Sequence, residues 1–236
     1  ALVARTDAGV RVNDNVSMGA VLTNNSEPFY NAISVKLEKP LSKGLFGSIA
    51  YTKSNAKDFM SAGSIASGTW QSIRAINGNN DPLLSNSDFL VPQRAVGLLG
   101  YRKEYGKKFG GATSITIGYV GQQSGGFSYF VAGDLNGDRV SNNELIFVPN
   151  KGTDIKFAPL TVGTRIYTEA EQQAAFEAYI AQDEYLSSRR GQYAERNGSF
   201  LPWLHRFDLS IVQDLNVNIK KEKNTLQLRF DILNFG

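Results

Sequence analysis

The chain has 236 residues, 25 basic and 22 acidic, for a net charge of +3, with one histidine and no cysteine. That balance, without a basic tract interleaved with aromatics, argues against nucleic acid as a partner, and the missing cysteines exclude disulfides and thiolate metal sites. No apolar run approaches the ~18 residues of a membrane-crossing helix, so any membrane role falls to strands. The first residues, Ala1 to Arg5, lack the charged-then-apolar layout of a secretory signal. The chain is therefore expected to start after processing or inside a longer protein.

A first alternating stretch runs from about Asp14 to Thr23, with Val16, Met18, Ala20 and Leu22 on one face. A short turn through Asn24–Pro28 leads to a strand over Phe29–Glu38, where Phe29, Ile33, Val35 and Leu37 share a face against Ser34, Lys36 and Glu38. Lys39 to Gly44, with Pro40, reads as a tight connection. Leu45 to Thr52 alternates again, with Leu45, Gly47, Ile49 and Tyr51 on the apolar face. Residues 53–93 are rich in Ser, Asn, Gly and Asp and carry no sustained period. Arg94–Arg102 alternates weakly, with Val96 and Leu98 on the charged face. After a turn within Lys103–Gly111, Ala112–Gly121 is a clear strand, with Ile115, Ile117 and Tyr119 opposite Ser114, Thr116 and Gly118.

Residues 122–202 form a second long irregular region with one expected helix. Thr168 and Glu171 make a capping box. Phe176, Tyr179 and Ile180 then share a helical face, and Arg189, Arg190 and Gly191 read as its stop. The chain closes on a hairpin. From Trp203 to Ile219, seven of the nine odd positions are apolar. After Lys221–Asn224 the parity flips, with Leu226, Leu228, Phe230 and Ile232 apolar. A symmetric turn centred on Glu222–Lys223 puts Lys220 opposite Thr225, and therefore Asp214 opposite Asp231.

Strands in soluble domains mostly run about 5–6 residues, whereas a tilted membrane-spanning strand needs about 9–11. The long final alternation fits the latter. The connections sort as short, short, long, short, long, short, the arrangement of outer-membrane barrels with short periplasmic turns and long outer loops. Phe29, Tyr51, Tyr119 and Trp203 fall on apolar faces at the long-loop end, where an interfacial girdle belongs. The fold class expected is all-β, a segment of a transmembrane antiparallel β-barrel. A lone set of about seven strands would leave unpaired edges in hydrocarbon, so either a strand is missed or the barrel is larger.

Four stretches carry a family resemblance: Gly133–Asp138 running on to Asn143–Pro149; Ser188–Gly198; Pro202–Leu209; and Leu228–Gly236. Together they resemble the C-terminal barrel of Oar-like TonB-dependent outer-membrane receptors of Bacteroidetes-type bacteria. The resemblance covers the second half of the chain. It implies a 22-stranded barrel, an N-terminal plug, a TonB box and energised import of a bound ligand. These residues would supply wall and outer loops, with outer-membrane lipid, the rest of the barrel and plug, TonB and a surface lipoprotein as partners.

Asp134, Asn136, Asp138, the Val140 carbonyl and Asn142 occupy positions 1, 3, 5, 7 and 9 of a calcium-loop-like spacing. The loop departs from that pattern with Arg139 at position 6 and Leu145 at position 12; Glu144 falls one short. Its bland reading is a polar surface turn around Asn136–Gly137. His205, on the apolar face beside Trp203, reads as interfacial, and no nucleophile-elbow motif supports a hydrolase. The charges Lys36, Glu38, Arg206, Asp208, Arg229 and Asp231 read as a solvated barrel interior. Trp70, Phe89, Phe127, Tyr129 and Phe130 lie in the long loops, positioned for a ligand or for packing the loops. The function expected is a non-enzymatic receptor or transporter. The alternatives are a stand-alone barrel or adhesin, and a soluble calcium-dependent carbohydrate-binding β domain.

Overall fold

The computed structural model describes residues 15, 23–61, 63, 65–105, 110–123, 125–137, 140–219 and 222–235. The strand expected at 14–23 lies outside them, apart from its edge residues. Six long strands form one antiparallel meander: β1 (Phe29–Ser42), β2 (Leu45–Asp58), β3 (Gln93–Tyr105), β4 (Gly111–Gln123), β5 (Trp203–Ile219) and β6 (Glu222–Ile232), each beside the next in chain order. They run 11 to 17 residues, lengths that match membrane crossing. Short links follow β1, β3 and β5, and long connections follow β2 and β4.

The strands outrun the expected boundaries. β1 continues through Lys39 and Pro40, and only Lys43–Gly44 turns the chain. Pro40 lies in a strand that has a sheet neighbour on one side only among the described residues, the setting in which a strand proline is tolerated. Lys43 (φ 52°) and Gly44 (φ 82°) both take left-handed backbone, the demand of a two-residue type I′ hairpin. A Cβ on Gly44 would lie 2.6 Å from the Arg102 carbonyl oxygen. β2 likewise runs on into its Ser/Asn/Asp-rich end, and β3 reaches Tyr105, because ladder hydrogen bonds override weak side-chain preference once a neighbour is in place.

Cross-strand rows fix the faces. One row runs Gly47, Leu99, Ile117, Leu209, Ile232, and the next Leu45, Tyr101, Ile115, Ile211, Phe230. The opposite face carries Arg102, Ser114, Val212, Arg229 and then Glu104, Ala112, Asp214, Gln227. Val96 and Leu98 do lie on this second face, between Ala50 and Val120 and between Ser48 and Gly118.

The final hairpin corrects the expected register by four residues. Leu215 pairs with Leu226, Asp214 with Gln227 and Ile219 with Glu222. An even shift keeps both apolar faces, so alternation alone does not select between the two registers. Charge does. In the observed register Gln227 donates to Asp214 at 2.9 Å and Arg102 pairs with it at 2.9 Å, while Asp231 pairs with Arg229 at 2.8 Å. The expected register would face Asp214 with Asp231, two like charges.

The long connections fold into a second compact unit, residues 56–89 and 126–200. It holds α1 (Ala66–Gln71), α2 (Glu169–Gln182) and α3 (Glu184–Ser188). The single helix expected from Thr168 to Arg189 is two. Asp183 leaves the helical conformation and caps α3 by accepting from the Leu186 N–H at 2.7 Å. The Thr168–Glu171 capping box is present. Ile180, Leu186 and Val148 are fully buried, with Phe176, Tyr129 and Tyr185 packed on them.

The register has a direct test, free of native thiols. Cysteines replacing Leu215 and Leu226 should form a disulfide on mild oxidation, since paired Cα atoms lie ~5 Å apart. Cysteines replacing Ile219 and Leu226 should not, being four residues out of register, roughly 13 Å along the strand. Gel mobility with and without reductant reads both.

Candidate functional site

The sheet's first face is apolar and uncovered. Ile33 is 76 % exposed, Phe230 61 % and Leu99 57 %. So many large side chains left exposed across adjacent strands mark a surface meant for a non-aqueous neighbour. At its long-connection end the face turns aromatic. Trp203 stacks on His205 and His205 on Tyr119, whose ring sits 4.9 Å from Phe207. The Tyr119 hydroxyl meets His205 Nδ1 at 2.8 Å, and the Tyr51 hydroxyl donates to Gln93 at 2.5 Å. Rings with a polar tip and an apolar body suit a membrane–water boundary. His205 is thus part of the girdle, as its place in the alternation implied.

The opposite face pairs its charges along each strand: Lys36 with Glu38 at 2.5 Å, Arg206 with Asp208 at 3.2 Å, Arg229 with Asp231 at 2.8 Å. Residues two apart share a face, which is why these pairs form. Phe46 also lies here. Its ring covers Gly100, where any Cβ would overlap it.

In the loop unit, backbone ladders lace the two long connections together. The Ala75 N–H donates to the Asn143 carbonyl and the Leu145 N–H to the Ala75 carbonyl, both at 2.9 Å. Phe147–Val148 pairs with Gln192–Tyr193, and Gly126–Phe127 with Ser199–Phe200. Arg196 and Asn197 complete the stitching. Arg196 is 5 % exposed, and its guanidinium donates to the Asp58 carbonyl at 2.6 Å and the Asp58 carboxylate at 2.5 Å. Asn197, at φ 52°, exchanges amide–carbonyl hydrogen bonds with Asn86, donates to the Asp88 carboxylate and takes the Ser128 hydroxyl on its own N–H. Further out, Arg190 and then the Gly152 N–H hold the Glu177 carboxyl below the usual carboxylate range. Burial, and then a hydrogen bond to Asp183, push the Tyr129 phenol upward.

This stitching walls a cleft of about 290 Å³ lined by polar and aromatic side chains, among them Arg74, Phe127, Phe130 and Arg196. Phe127 and Phe130, loop aromatics that the sequence left open to ligand contact or to packing, are among its lining. Trp70 instead packs with Ile73 and Ala75 in a small core. Arg74, Arg196 and Asn197 were not anticipated as site residues. The only sequence signal was the Arg196–Asn197–Gly198 run within a longer family-like stretch.

The calcium-like loop is curled. Asp134 accepts from the Gly137 N–H at 2.8 Å, Asn142 accepts from the Gly133 N–H at 3.0 Å, and the Asn142 N–H returns to the Gly133 carbonyl at 2.7 Å. Val140 packs against the Trp70 core, and Glu144 is buried. Asp138 lies outside the described residues. Among those described, no cluster of three or more acidic, His or Cys side chains is placed to hold a metal.

Arg196→Ala should loosen the loop unit, since it leaves the partly buried Asp58 carboxylate without its cation. For a fully buried pair that loss is about 3–5 kcal/mol, less here because Asp58 keeps some solvent. Limited proteolysis should cut within 57–88 and 126–200 faster than in the parent protein, while the long strands stay protected.

The sequence profile of the outer membrane beta barrel domain matches residues 4–236. No curated protein and no solved structure shows a significant match. The match and the bare apolar face together set aside a soluble β domain. A chain whose long antiparallel strands carry one uncovered apolar face, an aromatic girdle and a charged opposite face, and which that profile covers almost end to end, belongs to the outer membrane beta barrel domain family.

Proposed function

We propose that this chain forms wall and ligand-facing outer loops of a TonB-dependent receptor of the Oar-like type in a Bacteroidetes-like outer membrane, importing a bound ligand without catalysing a reaction on it. The observation that carries this reading is the stitched loop unit. A barrel that only anchors a surface has no need of long connections tied by a buried Arg196 and Asn197 around a cleft. Binding loops on a rigid scaffold are the usual device for recognition. A plug, TonB and a surface lipoprotein are the partners this reading requires. An adhesin or stand-alone barrel is the rival, and energy coupling separates them. In cells expressing the full-length parent protein, formaldehyde should cross-link it to TonB. Absence of any such cross-link in an energised membrane defeats the receptor reading in favour of the rival.

For the loop through Asp134, Asn136, Asp138, Val140 and Asn142 we propose calcium as a structural ion. The support is the alternate spacing of oxygen donors and the left-handed Gly137 (φ 74°) and Asn142 (φ 64°) that curl the segment. Ligation would order the loop, so proteolysis within 133–143 should slow when calcium replaces chelator. Equal rates reject the ion.

A further inference from the structure

We infer that the cleft beside Arg74 binds a small organic carboxylate, an inference that deepens the receptor reading and rests on it. The argument starts from charge. Arg165, Arg189, Arg190 and Arg196 each have a carboxylate within 3.5 Å: Glu171, Glu195, Glu177 and Asp58. Arg74 has none among the described residues of the loop unit. Its guanidinium carbon instead sits 4.3 Å over the centre of the Phe130 ring.

A guanidinium lying on an aromatic face keeps its in-plane N–H donors free at its edge, and it is weakly hydrated, so stripping its water costs less than for an ammonium. That fork matches the two oxygens of a carboxylate. The other cation of the cleft is already neutralised: Arg196 lies on Asp58 and within 3.5 Å of Asp88. Arg74 is therefore the one arginine lining the cleft without a paired carboxylate among the described residues, and its free fork calls for an anionic ligand group, a single one because Asp88 also lines the cleft.

The rest of the lining describes what that charge is attached to. Phe127, Phe130, Ile73 and Met60 offer apolar surface, with Ser61, Ser72 and Asp88 among them. A volume of about 290 Å³ is at the small end of ligand clefts. It suits one residue or ring of a ligand. A bare inorganic anion would leave the apolar wall unused. The carboxylate of a peptide C-terminus and that of an acidic sugar both meet this description.

The test uses the full-length parent protein in detergent and calorimetric titration with four probes: N-acetylphenylalanine, its amide, glucuronic acid and glucose. Binding of either acid at least about tenfold more tightly than its neutral partner supports the inference, given the usual strength of charge-assisted hydrogen bonds. The pair that discriminates names the source, peptide or uronate. Arg74→Gln should remove that preference while leaving the TonB cross-link intact, and Arg165→Gln, an exposed arginine already paired with Glu171, should change neither. Retained protease resistance of the loop unit in Arg74→Gln separates lost recognition from lost folding. Equal affinity for acid and neutral partner, no binding of any probe, full competition by equimolar inorganic phosphate, or an unaltered preference in Arg74→Gln overturns the inference. Loss of the cross-link with acid preference intact sinks the receptor reading alone.

Discussion

Hydrocarbon offers no hydrogen bonds, so every backbone N–H and C=O of a spanning segment must find its partner in the protein. That constraint governs the wall. The chain answers it with an antiparallel meander in which β3, β4 and β5 are each laddered on both sides over most of their length and β2 lies between β1 and β3. Pro40, which removes a donor, is confined to β1. The same constraint fixes side-chain sorting, because a ladder slipped by one residue would exchange the faces of every residue beyond it.

Sorting leaves a second problem on the polar face, where charges are held close by the strand spacing. The solution is pairing at two ranges. Neighbours two apart on a strand neutralise one another, as Arg229 does Asp231. Across strands, Asp214 gathers Arg102 and Gln227. Asp214 is only 8 % exposed, and a nearly buried carboxylate without partners is costly enough to select a register that alternation leaves open. The glycines serve shape more than flexibility here: Gly100 makes room for the Phe46 ring on the charged face.

The loop unit obeys different physics. It has no long ladder, so its order comes from short two-residue pairings, small cores and buried polar side chains. Arg196 and Asn197 matter because each bonds segments far apart in sequence, Asp58, Asn86 and Asp88 on one connection and Ser128 on the other. Such cross-links pay no dividend locally, and nothing in the period or composition around residue 196 distinguishes it from an ordinary surface arginine.

Fold class, the two faces, the girdle residues Tyr51, Tyr119 and Trp203, the short-turn and long-loop sides and the Thr168 cap were all legible in the sequence. Each depends on a local period or a motif of a few residues, and local periods survive translation into structure. Strand ends were not legible, because β1 and β2 extend through residues of poor strand propensity on the strength of their neighbours' hydrogen bonds. Nor was the register of the final hairpin, which turns on Asp214 meeting Arg102, a residue 112 positions away. The Arg74–Phe130 pair and the Arg196 hub belong to the same class. They are encounters between distant segments, and only the folded chain, by bringing those segments together, decides which charges find partners.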